Sequence, residues 1–263
     1  MTNHRNEMQV RRPRTPAWRA IGIAVLLAAA SGGASAADTS PTARVPAVAA
    51  PCCGPVTADG RKLGAFLDES GVETLWLPGW HVDWKTGRPD RDALGGHGSR
   101  SHCSAFAAAM ADRLGVYLLR PPEHGQILLA NAQRRWLDGP DAAADGWLPV
   151  KGDRAAVAAA NQGFLVVAVV ANPNPRKAGH IAIVRPSLKP AAALAAEGPD
   201  IVQAGSRNLL NGTVARVFRN HAGAWHPGGG GTLAYFAHAV NWVDGSARAT
   251  SPGTTASGKI TTP

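Results

Sequence analysis

Apolar residues in this chain follow two rhythms, and the change from one to the other divides it. From Ser104 to about Leu114, Phe106, Met110 and Leu114 recur at four-residue spacing, which places them on one face of a helix. Gly115 then ends it, as a residue free to take positive φ does. Arg61 to Glu69 predicts a shorter helix closed by Gly71, and less regular helical patterns cover Gln126 to Trp136 and Arg154 to Asn161. From Phe164 the period changes. Phe164 to Ala171 is an unbroken valine-rich run, as in a strand buried on both faces. Asn172-Pro173-Asn174-Pro175 interrupts it as a turn, and His180 to Val184 returns antiparallel. Ile201 to Ala204 and Val214 to Phe218 predict further short strands. Helices first and antiparallel strands second make an α+β domain.

The ends of the chain carry neither rhythm. Residues 1–36 have a basic start (Arg11, Arg12, Arg14, Arg19), an apolar run from Ala20 to Ala30 and a small-x-small site at Ala34-Ser35-Ala36, which predicts a cleaved export signal. The run is too short to predict a stable membrane span. Residues 37–58 read as a flexible Ala/Pro/Thr-rich leader, 59–243 as the folded domain, and 244–263 as a disordered Ser/Thr/Gly/Pro tail. The expected location is the periplasm or the exterior of the cell.

Charge and cysteine content narrow the chemistry. The formal net charge is +9, and removing residues 1–36 takes away five arginines and one glutamate, leaving about +5. Lys and Arg are scattered, so no nucleic-acid partner is expected. Of three cysteines, Cys52 and Cys53 are adjacent in the leader, and could bond to each other or cross-link to another chain. Cys103 is left free. It opens the predicted helix, after the polar residues Ser99, Arg100, Ser101 and His102. Unpaired N–H groups and a partial positive charge at that helix end favour a thiolate, so Cys103 is a candidate nucleophile.

Two later strands offer partners. Strand alternation puts His180, Ala182 and Val184 on one face, with His180 at the strand start where a helix N-terminus can approach it. Gln203 is a polar residue in an apolar strand, and if buried it needs a hydrogen bond, which an imidazole nitrogen can supply. Asn208, shortly after Gln203, is a further polar candidate to line the cleft over such a nucleophile. His97, His102 and Cys103 lie close together but lack metal-ligand spacing, so no metal and no cofactor is expected. Gly228 to Gly231 reads as a flexible loop. Trp80 and Trp84, among the glycines and prolines before the nucleophile, are candidates to stack on sugar rings.

His102-Cys103-Ser104-Ala105-Phe106 resembles the Asp-Cys-Ser-Gly-Phe helix opening of NlpC-type papain-like peptidoglycan peptidases, to which CHAP amidases are related. Gly179-His180-Ile181-Ala182-Ile183-Val184 resembles that family's His-Val-Gly-Ile-Tyr strand, and Ile201-Val202-Gln203-Ala204 falls where it carries a third polar residue. The resemblance covers some twenty residues. It implies a papain-like fold, with the nucleophile helix packed on an antiparallel sheet, and a Cys103–His180–Gln203 triad acting on peptidoglycan or its peptide fragments. The chain departs from the pattern at Ala105, at Gln203 (commonly histidine) and at His102, where the family has an acid that reads a substrate amine. Asp83 or Asp92 could supply that acidic contact, and Trp80, Trp84, His102 and Ser104 complete the expected substrate side. The implied activity is a cysteine amidase or endopeptidase. A non-catalytic wall-binding module on the same scaffold and a thioester acyl or peptidyl transferase are the alternatives.

Overall fold

The computed structural model describes residues 51–91 and 101–242. The predicted export signal, the predicted tail, most of the leader, Asp92 and His97 lie outside the described residues. Among the described residues the elements run α1 (Ala58–Asp68), β1 (His81–Val82), β2 (Pro89–Arg91), α2 (Cys103–Arg113), α3 (Leu129–Leu137), α4 (Pro140–Ala144), β3 (Leu148–Val150) and α5 (Gly152–Asn161). They continue with β4 (Leu165–Val170), β5 (His180–Val184), α6 (Ala191–Glu197), β6 (Asp200–Ala204), β7 (Asn208–Thr213), α7 (Val214–Val217) and β8 (Ala234–His238). Six strands form one antiparallel sheet in the order β3-β8-β4-β5-β6-β7, and β1 and β2 pair as a separate hairpin. The domain is α+β.

The sheet centre is where the apolar run predicts it. Every residue of β4 and β5 is buried, and β4 lies between β8 and β5. Helix α2 packs on β5 and β6. Its residues Cys103 to Ala111 are all buried, so it is a central helix rather than a surface one. Alanines at 105, 107, 108, 109 and 111 let it lie close to the strands without a ridge of large side chains. Phe106 fills the remaining space against Trp76, ring edge to face at 5.2 Å.

Three stretches differ from the sequence expectation. Val214 to Phe218 is a helical turn and its cap, not a strand. Thr213 Oγ1 accepts the Arg216 N–H at 3.4 Å, and Val214 and Phe218, four residues apart, are both buried on one side. The strand lies just before it as β7, whose Asn208, Asn211 and Gly212 are poor strand formers held in place by pairing with β6. Strand β8, inserted between β3 and β4, carries no signal separating it from the glycine-rich loop before it. Finally, the chain is attached to the domain before Asp59. Cys52 and Cys53 are disulfide-bonded to each other, Arg154 donates to the Cys52 carbonyl at 3.1 Å, and Asn161 donates to that of Gly54 at 3.2 Å.

Candidate active site

The site is built where β5 and β6 part. Their register pairs Ile183 with Val202 and Val184 with Ile201. Toward the other end, the backbone groups that would continue the ladder turn to the nucleophile segment instead. The Ala204 carbonyl accepts the His102 N–H at 3.1 Å and the Ser101 hydroxyl at 3.3 Å. The Ile181 N–H is hydrogen-bonded to the Cys103 sulfur. The start of α2 is thus wedged into a fork between two strands: the β6 wall holds it backbone to backbone through the His102 N–H, and the β5 wall offers the Ile181 N–H to the Cys103 side chain.

Cys103 is a free thiol, 6% exposed. Burial pushes its pKa up, but the His180 imidazole (by charge and by a hydrogen bond), the Ser101 hydroxyl and the Ile181 N–H outweigh burial and bring it down from 9.0 to about 7. Ser101 has one hydroxyl proton to offer either to the Ala204 carbonyl or to the sulfur. Its oxygen also accepts the Cys103 N–H at a long 3.4 Å. That N–H is held weakly and is free to turn to a stronger acceptor.

His180 follows Gly179, and no other residue fits there. A Cβ on Gly179 would stand 2.2 Å from the Val170 carbonyl oxygen and 2.6 Å from Asn131 Oδ1. Asn131 ties down the turn that delivers the histidine, accepting the Asn172 N–H at 2.9 Å and donating to the Lys177 carbonyl at 2.8 Å. The imidazole packs edge-on against Phe218 at 5.0 Å and parallel to His221 at 5.5 Å. Burial and the charge of His180 lower the His221 pKa to about 4, so this covering ring stays neutral. Nε2 of His180 is buried and makes no hydrogen bond among the described residues, which assigns the thiol contact to Nδ1.

Gln203 is 5% exposed. Continuing the β5–β6 register puts Ala182 opposite Gln203 and His180 opposite Gly205, all on one face. The Gln203 amide lies over Gly205, whose hypothetical Cβ would be 2.3 Å from Oε1. Nε2 of Gln203 donates to the Arg207 carbonyl at 2.7 Å, while Oε1 is buried without a partner among the described residues. The structure therefore places Cys103 and His180 in contact and Gln203 on the same sheet face, with its amide bonded elsewhere.

A cleft of about 410 Å³ opens over Cys103. Trp80, His102, Ser104 and Gly179 line it together with Ile127 and other apolar residues. Trp80 is 42% and Ile127 89% exposed, so the rim is apolar. Among the described residues no carboxylate lines this cleft. His102 is buried, with its ring on the Trp80 carbonyl at 3.1 Å, and burial lowers its pKa, so it is neutral and ties the tryptophan segment to the nucleophile. Asp83 is engaged in a turn, accepting from the Thr86 N–H at 2.7 Å and the Thr86 hydroxyl at 2.8 Å. Trp84 packs on the core below the Arg120 guanidinium, and neither Asp83 nor Trp84 lines the cleft. Asn208 does not line it either. Its amide donates to the carbonyls of Val72 at 2.6 Å, Leu75 at 2.8 Å and Trp76 at 3.3 Å, pinning the tryptophan segment to β7.

Sequence reasoning missed Ile181, Phe218, His221 and Asn131. Ile181 acts through its backbone, which no side-chain pattern reports; Phe218 ends a segment predicted as strand, and His221 lies three residues beyond it, where no element was predicted. Asn131, polar on the apolar side of α3, carried a usable signal. Among the described residues no three His, Cys, Asp or Glu side chains converge as a metal site would require. None of the described helices is long and apolar enough to cross a membrane. No protein-family model matches the chain and no curated protein matches it, so the site is read from its own geometry.

Proposed function

We propose that this protein is an exported cysteine amidase or endopeptidase of papain-like fold that cleaves amide bonds in peptidoglycan peptides. The observation that carries the reading is the Cys103–His180 pair: a thiol at a helix start, hydrogen-bonded to a buried imidazole and brought down to about 7. A thiol so tuned has the nucleophile and the base of amide hydrolysis in one contact.

In this reading the Cys103 thiolate attacks the amide carbonyl. The Cys103 N–H leaves its weak bond to Ser101 and holds the developing oxyanion at the start of α2. The His180 imidazolium gives its proton to the leaving amine, and then takes one from the water that hydrolyses the thioester. Two buried atoms on this face lack partners among the described residues: Nε2 of His180, a donor in the imidazolium, and Oε1 of Gln203, an acceptor. Each orphan of this kind costs about 1–3 kcal/mol, and one bond between them satisfies both. A turn of the Gln203 side chain makes that bond and fixes the imidazole's tautomer, which is the role of the third member in other triads. The neutral cleft, without an acid at His102, suits a wall peptide whose amine is not read by charge.

Mass spectrometry of purified wall material after incubation with the protein tests this. New fragments are expected from the wild type and none from Cys103→Ala or His180→Ala. Equal fragment yields from wild type and Cys103→Ala would refute the reading. Binding to the wall without fragments, with Cys103 inert to alkylation, would replace it with a binding module.

A further inference from the structure

The apolar rim of the cleft over Cys103 has no part in the bond-breaking chemistry. Trp80 and Ile127 both line the cleft, and they are two of the four large apolar side chains exposed among the described residues. Exposed apolar side chains are ordinary when scattered and informative when grouped at a cleft. Here the chain ties them together. Gln126, next to Ile127, donates through Nε2 to the carbonyl of Val82, two residues beyond Trp80, at 3.3 Å. The Trp80 carbonyl is in turn held by the ring of His102, the residue before the nucleophile.

Backbone strain and charge point the same way. Leu128, which follows Ile127 and also lines the cleft, lies in the left-handed region at φ 59°. A leucine is strained there, and such strain persists at ligand clamps, where the surrounding structure imposes it. The Leu128 carbonyl accepts the Asn131 N–H at 3.0 Å, so the strained residue is the joint at which α3 begins and Ile127 is left outside it. Among the described residues no Lys, Arg, Asp or Glu lines the cleft. Burial holds His102 neutral, and the other imidazole, His81, is paired through Nδ1 with Asp90. A charged group entering this cleft would lose its water without gaining a counter-charge, whereas an apolar group gains by leaving water.

We propose that Trp80, Ile127 and Leu128 form a specificity subsite for a large uncharged apolar group beside the scissile amide, so that the protein selects wall peptides carrying such a group and discriminates against an acidic or basic side chain there. An aromatic or branched aliphatic group packs against the Trp80 ring and the Ile127 side chain, and the cleft, at about 410 Å³, is of the size that encloses a small ligand. The bond that is cut rests on the thiol hydrolase reading above, whereas the subsite is a property of the cleft alone.

The test reads the cleft through the sulfur, without turnover. Cys103 is alkylated with three chloroacetamides, N-benzyl, N-(4-carboxybenzyl) and N-methyl, in which the thiolate displaces chloride and forms a C–S bond. Rates come from intact mass, each divided by that probe's rate with glutathione, and are compared as ratios within one protein, so that a change in the thiol itself cancels. In the wild type N-benzyl is expected to react at least about tenfold faster than either of the others. Trp80→Ala and Ile127→Asp are each expected to lower that preference at least about threefold, and Ile127→Leu to keep it; because Ile127 is exposed, its replacement leaves the core intact. Equal wild-type rates for N-benzyl and N-(4-carboxybenzyl), or a preference unchanged in both Trp80→Ala and Ile127→Asp, would overturn the subsite. Peptide amides carrying phenylalanine or aspartate beside the amide are then offered to the wild type. Probe preference without cleavage of any amide refutes the hydrolase and leaves the subsite standing; cleavage equally fast beside phenylalanine and aspartate refutes the subsite and leaves the hydrolase standing.

Discussion

Replacing His180 with alanine tests the central electrostatic claim through the thiol alone. In the wild type Cys103 is brought to about 7 from 9.0. That difference of two units corresponds to about 3 kcal/mol in favour of the thiolate. It is a net figure, because burial acts in the opposite direction. Without the imidazole, burial remains and only Ser101 and the Ile181 N–H oppose it, so the midpoint moves to 9 or above. At pH 7 the thiolate fraction then falls from about a half to about 1% or less, and alkylation slows about fifty-fold. Iodoacetamide labelling followed by intact mass from about pH 5 to 10 reads this directly, since reactivity follows the thiolate. The readout is clean because Cys52 and Cys53 are bonded to each other and only Cys103 is free. The plateau rate at high pH reports access to the sulfur and the midpoint reports its ionisation, so a cavity left by the missing ring cannot mimic the effect. A midpoint in His180→Ala within half a unit of the wild type would refute the reasoning. In the wild type, hydrolysis is expected to rise with pH through about 7, because the thiolate is the reactive form above that point and is protonated below it.

Two other substitutions probe the frame around the dyad. Gly179→Ala forces a methyl group against the Val170 carbonyl oxygen at 2.2 Å, a backbone clash that must move the strand; a loss of about 3 kcal/mol, or roughly 6–12 °C in Tm, is expected by thermal melting, and an unchanged Tm would contradict the close approach. Gln203→Ala removes the acceptor proposed for the His180 imidazolium, worth about 1.5–3 kcal/mol for a hydrogen bond to a charged group; kcat is expected to fall about 10- to 100-fold with KM nearly constant, and an equal rise in KM at constant kcat would mark the residue as substrate-binding instead.

The parts of this fold that were legible in the sequence are those where burial dictates composition. The unbroken run that becomes β4 has to be apolar on both faces because it lies mid-sheet between β8 and β5. Helix α2 is legible for the same reason, with Phe106 and Met110 buried on its core side. Strand β7 was not legible, because an edge strand holding Asn208, Asn211 and Gly212 takes its conformation from its partner rather than from its own residues. At the site, Cys103 and His180 were readable as residue types at the start of a helix and of a strand. Their contact was not, since it depends on backbone groups of Ile181 and Ala204 that any sequence possesses. The same limit explains Asp83 and Trp84. Both are reactive or sticky residue types in a loop, yet the Asp83 turn and the packing of Trp84 under Arg120 use them up before a substrate could.

That limit also says why a buried thiol here is more than a core cysteine. A structural cysteine is kept inert by burial in apolar surroundings, which raises its pKa. Cys103 is as buried as such a residue, but it lies against an imidazole, a hydroxyl and a peptide N–H, and the balance falls on the side of the thiolate. Two of the three come from segments that open β5 and α2, and the third is β5's own backbone. The arrangement is therefore inseparable from the parting of β5 and β6. A fully zipped ladder would use the Ile181 N–H and the Ala204 carbonyl on each other, leave the nucleophile segment without an anchor, and return the thiol to the inert range. The sheet gives up pairing at its end, and the bonds it forgoes are the ones that hold and ionise the sulfur.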